Sequence, residues 1–498
     1  MIFWEFLKGR PMSSIDDFFR SRLDQMIDLR HPLAILASRM PWLEIEASLA
    51  RQLARQAKAG KPIQASDLFG AHTTVVGGGT SHAGRPRLPI RLMVSLLYLK
   101  HAFNESDEGV VERWAETPTW QYFSGMDYFE HRLPCDATLL GKFRRVLGEE
   151  GVEELLSQTI RVAIDLKAIS PTALQSVVVD TTVQPKAIAH PTDSRLLEVA
   201  RQQLVRVAKA AGIELKQTFA KEGKQLTRKA GGYAHARQFR RLRKPINRQR
   251  TIVGKLSRQI AREVPKQSDV HQAQLRCALA KAQRILAQTH RRKIKGAAKL
   301  YSWHAPETEC LSKGKARQPY EFGVKVGITS TLKGNLILGA RSFPGNPYDG
   351  HTLAEQLEQA SILSNSPIKH VYADLGYRGV DQANPGVHIK HRGKYQRLSE
   401  QERRLLKRRQ AIEPIISHLK SDHRMNRCHL RGAQGDAIHA VLCAAGYNLR
   451  WLLRMIRKRG IGFYFALIRC LGLSNTIARL MLILRSNECT TTIPQRTP

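Results

Sequence analysis

The sequence predicts an α/β protein in which a long basic helical insertion interrupts a mixed sheet and a helical region precedes it. Short runs rich in β-branched residues predict four strands, at 176–182, 322–331, 335–340 and 368–374. Residues 194–300 alternate small and apolar residues with basic ones at helical spacing, and they hold 28 Lys/Arg against 5 Asp/Glu. Apolar residues at helical spacing also fill 85–157.

These elements divide the chain into four predicted parts. Asp136 is a candidate N-cap for a helix in the second part, and Thr331–Gly334 is a plausible hairpin turn in the third. Helices are expected at 352–363 and 399–457. The parts are an N-terminal leader with a glycine-rich linker at Gly77–Ser81 (1–80), a helical domain (81–165), a catalytic domain containing the insertion (172–450) and a helical tail (451–498).

The order of the predicted elements indicates a particular core. Without residues 194–300 it is β-β-β-α-β-α, which is the order of an RNase H-like mixed sheet. That topology places the first and fourth strands side by side. Asp180 and Asp374 end the apolar runs of these two strands. They are therefore expected to be neighbours despite their separation in sequence.

Composition restricts the class of partner. The chain has 498 residues, 42% of them hydrophobic, which is typical of a folded globular protein. Its net charge of +38 is unusual for an enzyme of small metabolites and favours a polyanion such as DNA. A solvated helical face is the alternative explanation for the basic insertion.

The sequence gives no sign of secretion or of a membrane anchor. Seven scattered cysteines, with no Cys-x-x-Cys pair, argue against a disulfide scaffold or a zinc finger and fit a reducing cytoplasm. The N-terminal residues do not have the charge and apolar pattern of a signal peptide. The apolar stretch 461–468 is too short to span a bilayer before Arg469, so we expect an amphipathic helix there.

Three acids lie in settings suited to metal ligands. Asp180 and Asp374 each follow an apolar run, and Glu413 lies on a predicted helix. Taken singly, each acid has an ordinary explanation, as a turn residue, a strand-end cap or a solvated helix residue. Together they form an oxygen-only ligand set suited to Mg²⁺, and two such ions can clamp an in-line displacement at phosphorus.

The residues around Glu413 predict an amphipathic helix. Ile412, Ile415, Ile416 and Leu419 form its apolar face, while Arg409, Glu413 and Lys420 lie along a polar stripe. Pro414 is tolerated only in a first turn, so the helix is expected to start near Glu413. Arg409 and Lys420 are candidate DNA contacts, with ordinary surface cations as the alternative.

At the level of motifs, residues 85–485 resemble the DDE transposases of bacterial insertion sequences, in the insertion-sequence-five group. The signature's tyrosine, expected three residues before Arg409, is Leu406 here, which leaves a contact from that position open. The matching segments are 177–182, 320–325, 345–353, 372–379, 409–420 and 423–425.

The resemblance implies a function and a set of site residues. Asp180, Asp374 and Glu413 would be the catalytic, metal-binding triad, with two Mg²⁺ ions or Mn²⁺ in their place. Arg409 and Lys420 match the cations that accompany the glutamate. The protein would bind terminal inverted repeats, cut there and join the 3′ ends to target DNA, working at the bacterial nucleoid in a homodimer or larger synaptic complex.

Two alternatives remain open from the residues. One is a metal-dependent nuclease on the same core that cuts without joining, and the other is an inactive DNA-binding remnant. Tyr233, His235 and Phe239 lie among the basic residues of the insertion and are candidates for stacking on bases, although helix packing is the simpler explanation for Phe239. His304, His351 and His418 are not expected to be ligands, because Mg²⁺ prefers oxygen.

Overall fold

The computed structural model describes residues 21–55, 63–66, 72–75, 88–289, 299–312 and 319–470. The chain divides into two compact units, residues 1–173 with 445–498, and residues 174–444. The domain boundaries predicted from the sequence remain predictions. In the described part of the chain, no helix has the length and apolarity needed to cross a membrane.

The first unit is mainly helical. At the start of helix α7 (Ala137–Asp165), the Asp136 side chain accepts a hydrogen bond from the Thr138 backbone N–H at 2.8 Å, which confirms the predicted cap. The same helix is kinked at Gly148, where φ is 65°. The elements are α1 Leu23–Met26, α2 Pro32–Arg39, α3 Trp42–Arg55, β1 Ile63–Ser66, β2 His72–Val75, α4 Ile90–Ala102, α5 Asp107–Glu116, α6 Pro118–Phe123 and α7 Ala137–Asp165.

Two expectations for the N-terminal part have different outcomes. The predicted helical leader contains α1, α2 and α3, while the predicted linker Gly77–Ser81 lies outside the described residues. The antiparallel pair β1 and β2 was not predicted, because its short segments carry few apolar residues.

The second unit is built on a six-stranded mixed sheet. Strand β3 lies at its centre, antiparallel to β5 and parallel to β7, which in turn pairs with β8. Both β4 and β6 pair with β5. The strands are β3 Ser176–Pro185, β4 Glu309–Ser312, β5 Tyr320–Thr331, β6 Ile337–Phe343, β7 His370–Tyr372 and β8 His388–Lys390.

The helices of this unit fall into two groups. The first group packs around an apolar cluster that includes Leu197, Ile252 and Leu279, and it forms the predicted insertion. It comprises α8 Asp193–Ala210, α9 Ala220–His235, α10 Phe239–Glu263 and α11 Asp269–Gln288. The others are α12 Leu353–Ser364, α13 Glu400–Lys407 and α14 Ile412–Asp422. The long helix α15, Gly432–Cys470, begins in this unit, and its residues from Ala445 on belong to the first unit.

The α/β class with an RNase H-like mixed-sheet core and a helical insertion is confirmed. The predicted adjacency of the first and fourth core strands is also correct, since β3 pairs with β7. Strand β8 is an addition that the sequence did not predict. It consists of three residues between loops, too few for a periodic signal.

Several predicted boundaries are wrong. Strand β3 extends three residues beyond 182, because its C-terminal half remains paired with β5. The strand predicted at 368–374 is only β7, so Asp374 lies beyond its end. The segment predicted to be helical over 399–457 is interrupted by a 3₁₀ turn at Arg408–Ala411 and by residues 423–431, which are not helical. The predicted helix start near Glu413 is confirmed, because α14 begins at Ile412.

Candidate active site

The pairing of β3 with β7 positions Asp180 and Asp374. Val178 is the partner of Tyr372 in the parallel register, and each aspartate lies two residues further along its own strand direction. Neighbouring strands are about 4.8 Å apart. The two carboxylates therefore start from adjacent backbone positions, although Asp180 lies within β3 rather than at its end.

Helix α14 brings Glu413 to the same strands. Ile412, the preceding residue, is fully buried and packs in one apolar cluster with Val178 and Tyr372. These two residues are the ones that lie two positions before the aspartates. Glu413 itself is exposed, so its carboxylate is open to solvent.

Local sequence explains how α14 holds this position. Ile412, Ile415 and Leu419 are buried, as the predicted apolar face requires, and Pro414 is the third residue of the helix. Its missing N–H therefore costs no helical hydrogen bond. One detail of the prediction is wrong: Arg409 lies in the 3₁₀ turn before α14, not on a continuous helical stripe with Glu413.

Arg409 nevertheless approaches the acids. Its Nη1 atom lies 4.0 Å from Oδ2 of Asp180, and both side chains are largely shielded from solvent. Asp374 is oriented in a different way, because its Oδ1 accepts the Gly376 backbone N–H at 2.8 Å. This bond caps the 3₁₀ turn Leu375–Tyr377 and fixes the carboxylate relative to β7.

A fourth carboxylate, Asp349, lies in the same region and was not predicted. Its Oδ1 accepts hydrogen bonds from Thr181 Oγ1 at 3.0 Å and from Lys325 Nζ at 2.8 Å. A Cβ atom built on Gly376 would lie 3.0 Å from Asp374 Oδ1 and 3.3 Å from Asp349 Oδ2, so the two carboxylates face the same glycine. Its sequence signal is the segment 345–353, one of those that resemble the transposase family, which contains Asp349.

Three of these acids affect the pKa of the buried Tyr377 phenol. Burial raises the pKa of its phenol well above the ordinary value, and the negative charges of Asp180, Asp349 and Asp374 raise it further. The phenol therefore stays protonated, with its oxygen 3.4 Å from Nε2 of Gln356. Three carboxylates thus act on one buried hydroxyl group.

A basic cavity of about 250 Å³ includes Arg409 in its wall. Arg403 lies over the Tyr395 ring, 4.9 Å from its centroid. Leu406, at the position where the family signature has tyrosine, is buried in the cluster with Val178 and Tyr372, so it packs instead of offering a hydroxyl. The lining residues are Arg392, Tyr395, Arg403, Leu406, Lys407, Arg409 and Gln410.

Several other candidate residues lie on helices and turns of the second unit. Lys420 is half-buried near the end of α14. The packing explanation for Phe239 is wrong, because its side chain is 62% exposed. His351 contacts Tyr348 edge to face, and His418 Nδ1 lies 2.7 Å from Asp422 Oδ2.

Two family models match parts of this chain. Residues 67–146 match the model of a transposase domain (DUF772), and residues 286–449 match that of the transposase DDE domain. The chain belongs to the insertion-sequence DDE transposases. The DDE match includes Asp349, Asp374 and Glu413, while Asp180 precedes it across the insertion. Members of this family generally use divalent metal ions and act on DNA.

One curated relative covers part of the chain. An uncharacterised protein, ORF8 in the nfe locus of Rhizobium meliloti, is 43% identical over 231 residues, which are 46% of this chain and 99% of the relative. No solved structure matches.

Proposed function

We propose that this transposase, of the insertion-sequence-five group, binds the terminal inverted repeats of its element, cleaves the DNA there and transfers the 3′ ends into target DNA. The proposal is supported mainly by the register of β3 and β7, in which Asp180 and Asp374 each follow a paired residue by two positions. It is also supported by Ile412, the neighbour of Glu413, which packs with Val178 and Tyr372. Its site of action is the bacterial nucleoid.

The donor set fits a hard divalent cation. All three predicted ligands offer oxygen, and among the described residues neither Asp374 nor Glu413 forms an ion pair with a cationic side chain. Asp180, Asp374 and Glu413 would hold two Mg²⁺ ions, or Mn²⁺ in their place. When bound, these ions polarise the phosphate and lower the pKa of the attacking oxygen.

Protein side chains account for the remaining requirements. The hydrogen bond from Gly376 orients Asp374, and the contacts of Asp349 with Thr181 and Lys325 tie β3 and β5 to the loop beside that turn. Such fixed geometry raises the rate of a displacement reaction, because the reacting groups need not be ordered at each turnover.

The basic cavity supports DNA contact near the acids. Arg392, Arg403 and Lys407 line it together with Arg409, which approaches Asp180. We assign the cavity to backbone phosphates of the bound end, since guanidinium groups match phosphate geometry. Lys420, on the same helix as Glu413, is proposed to contact DNA as well.

Because transposition requires both ends of the element, we expect a dimer or larger synaptic assembly. Both ends must be held while cut and joined, and each active site serves one end. Size measurement of the protein with and without terminal DNA tests this part of the proposal, and a complex with one protein chain per joined pair would contradict it.

The central experiment incubates the purified protein with the terminal DNA of its own element, with and without Mg²⁺. Cleavage that requires the ion and is absent in Asp180→Asn is expected. A second reaction with precleaved ends and a target plasmid distinguishes transposase from a nuclease that only cuts. Binding of ends without cleavage under any divalent ion would instead favour the inactive remnant.

A further inference from the structure

Helices α9 and α10 form a hairpin with a short, defined tip. Only Ala236, Arg237 and Gln238 separate the two helices. Arg237 adopts a left-handed conformation with φ of 54°, and the Gln238 N–H donates to the Tyr233 carbonyl at 2.9 Å. A non-glycine residue in this conformation requires support from its surroundings, so the tip is a specific turn.

The hairpin is anchored at one end and projects at the other. Ile252, Val253, Leu256 and Ile260 of α10 are buried in the apolar cluster of the insertion. Towards the tip the buried residues of α10 end at Pro245. The first turn and a half of α10 thus rests on little apolar support.

The charge of this hairpin is of one sign. Residues 223–262 contain 13 Lys/Arg and no Asp or Glu. The nearest acid, Glu222, is paired with Arg248 at 2.6 Å. The cations near the tip are exposed, namely Arg237, Arg240, Arg241, Arg243 and Lys244. Such a concentration of positive charge favours binding to a polyanion.

Phe239 lies within this group of cations. Its side chain is 62% exposed, whereas Phe219, Leu226 and Ile246 of the same insertion pack against the apolar cluster. An aromatic ring among exposed arginines matches the combination that binds single-stranded nucleic acid, in which cations follow the backbone and rings stack on bases. A fully paired duplex hides the faces of its bases, so the ring needs an unpaired base.

We propose that the hairpin tip (residues 233–244) binds unpaired DNA, with Phe239 stacking on a base and the surrounding cations neutralising phosphates. This rests on the proposed function in taking DNA as the partner, but it does not depend on cleavage. It assigns to the insertion a preference for distorted or melted DNA.

The test measures binding with full-length Asp180→Asn protein in the absence of divalent ions. The probes are a fully paired duplex and the same duplex with an internal run of unpaired bases that includes the fluorescent base 2-aminopurine. Tighter binding of the unpaired probe and quenching of its fluorescence are expected. Phe239→Ala should lose about tenfold in affinity for the unpaired probe and leave the paired probe nearly unchanged.

Matched variants separate stacking from other effects. Phe239→Trp should restore both affinity and quenching, while Val270→Ala, at a 69% exposed apolar residue of α11, should change neither. Arg240→Gln and Lys244→Gln should each weaken the binding of both probes to the same extent. Each should also reduce by about one the slope of log affinity against log salt concentration.

Three results would overturn the inference. The first is equal affinity of the parent protein for the two probes, and the second is unchanged binding by Phe239→Ala. The third is a loss of self-association in Phe239→Ala without any effect on DNA binding, which would assign the tip to a second copy of the chain. Failure of Mg²⁺-dependent cleavage would contradict the proposed function alone, because no binding measurement here includes metal.

Discussion

Two groups of charged side chains lie along β3, and they differ in how their charge is balanced. Just beyond the end of the strand, Lys186 Nζ lies 2.8 Å from Glu307 Oε1 and 2.6 Å from Asp436 Oδ1, with both cation and Asp436 almost completely buried. Near the middle, Asp180 shares its neighbourhood with Asp374, and Arg409 approaches no closer than 4.0 Å.

The difference separates a structural group from a candidate binding site. In the group around Lys186, the cation is supplied by the protein, and Glu307 also accepts the Gly432 N–H at 2.7 Å. Around Asp180 the carboxylates are partly open to solvent, with Arg409 4.0 Å from Asp180 and Lys325 2.8 Å from Asp349. Buried charge needs a partner in the fold, whereas accessible clustered carboxylates are suited to a cation that binds and leaves.

The largest expected effect is at the accessible group. Asp180→Asn should lower the rate of end cleavage by at least about 10³-fold, because a shared ligand is lost while the side-chain shape is kept. Affinity for end DNA should stay within about threefold, as phosphate contacts supply most of it. Gel-based cleavage and binding assays measure both quantities. Asp381→Asn, at a surface acid paired with Lys394, is the matched control and should cut normally.

The next effect is at the buried group. Lys186→Met should lower the free energy of unfolding by about 3–5 kcal/mol, because Glu307 and Asp436 would remain buried without their cation. Denaturant unfolding followed by circular dichroism checks this value. Lys333→Met, at an exposed position in the β5–β6 turn, should change it by less than about 0.5 kcal/mol. Equal stability of the two variants would remove the contrast between the groups.

Asp349 has features of both groups. It faces the same glycine as Asp374, but it is paired with a lysine of the fold, Lys325. Asp349→Asn should reduce cleavage by about 10- to 100-fold, as is typical when a group supporting metal ligands is changed. The apparent Mg²⁺ affinity should fall as well. Combining this change with Lys325→Met should add little, and strict additivity of the two losses would argue against a shared role.

The smallest expected effect is the stabilisation of the folded protein by bound Mg²⁺. Mg²⁺ at about 10 times its dissociation constant should stabilise the protein by about 1.4 kcal/mol. Thermal unfolding with increasing Mg²⁺ measures this without any activity. Asp180→Asn should lose the response and Asp381→Asn should keep it. A response of equal size in Asp180→Asn would move the ion to another site.

Local patterns predicted much of the candidate site. The β-branched run before Asp180, the short apolar run before Asp374 and the apolar face beside Glu413 are each visible within about ten residues. The element order then predicted that β3 and β7 are neighbours, which the parallel register confirms. The roles of the three acids as metal ligands stay predictions.

Other features had no local signal. Asp349 joins the acids only because Thr181 and Lys325 approach it from two strands. The group around Lys186 is assembled from residues 121 and 250 positions apart in the chain. Phe239 looked like a packing residue, since its exposure depends on where α10 leaves the apolar cluster.

The amino-acid sequence by itself determined the α/β class, the transposase family and the basic insertion, because periodicity, strand-forming residues and net charge are properties of neighbours along the chain. Tertiary structure decided which charges are neutralised within the fold, which carboxylate joins Asp374 and which aromatic ring remains in solvent. These depend on strand register and on the ends of packed helices, which bring together atoms that the sequence keeps far apart.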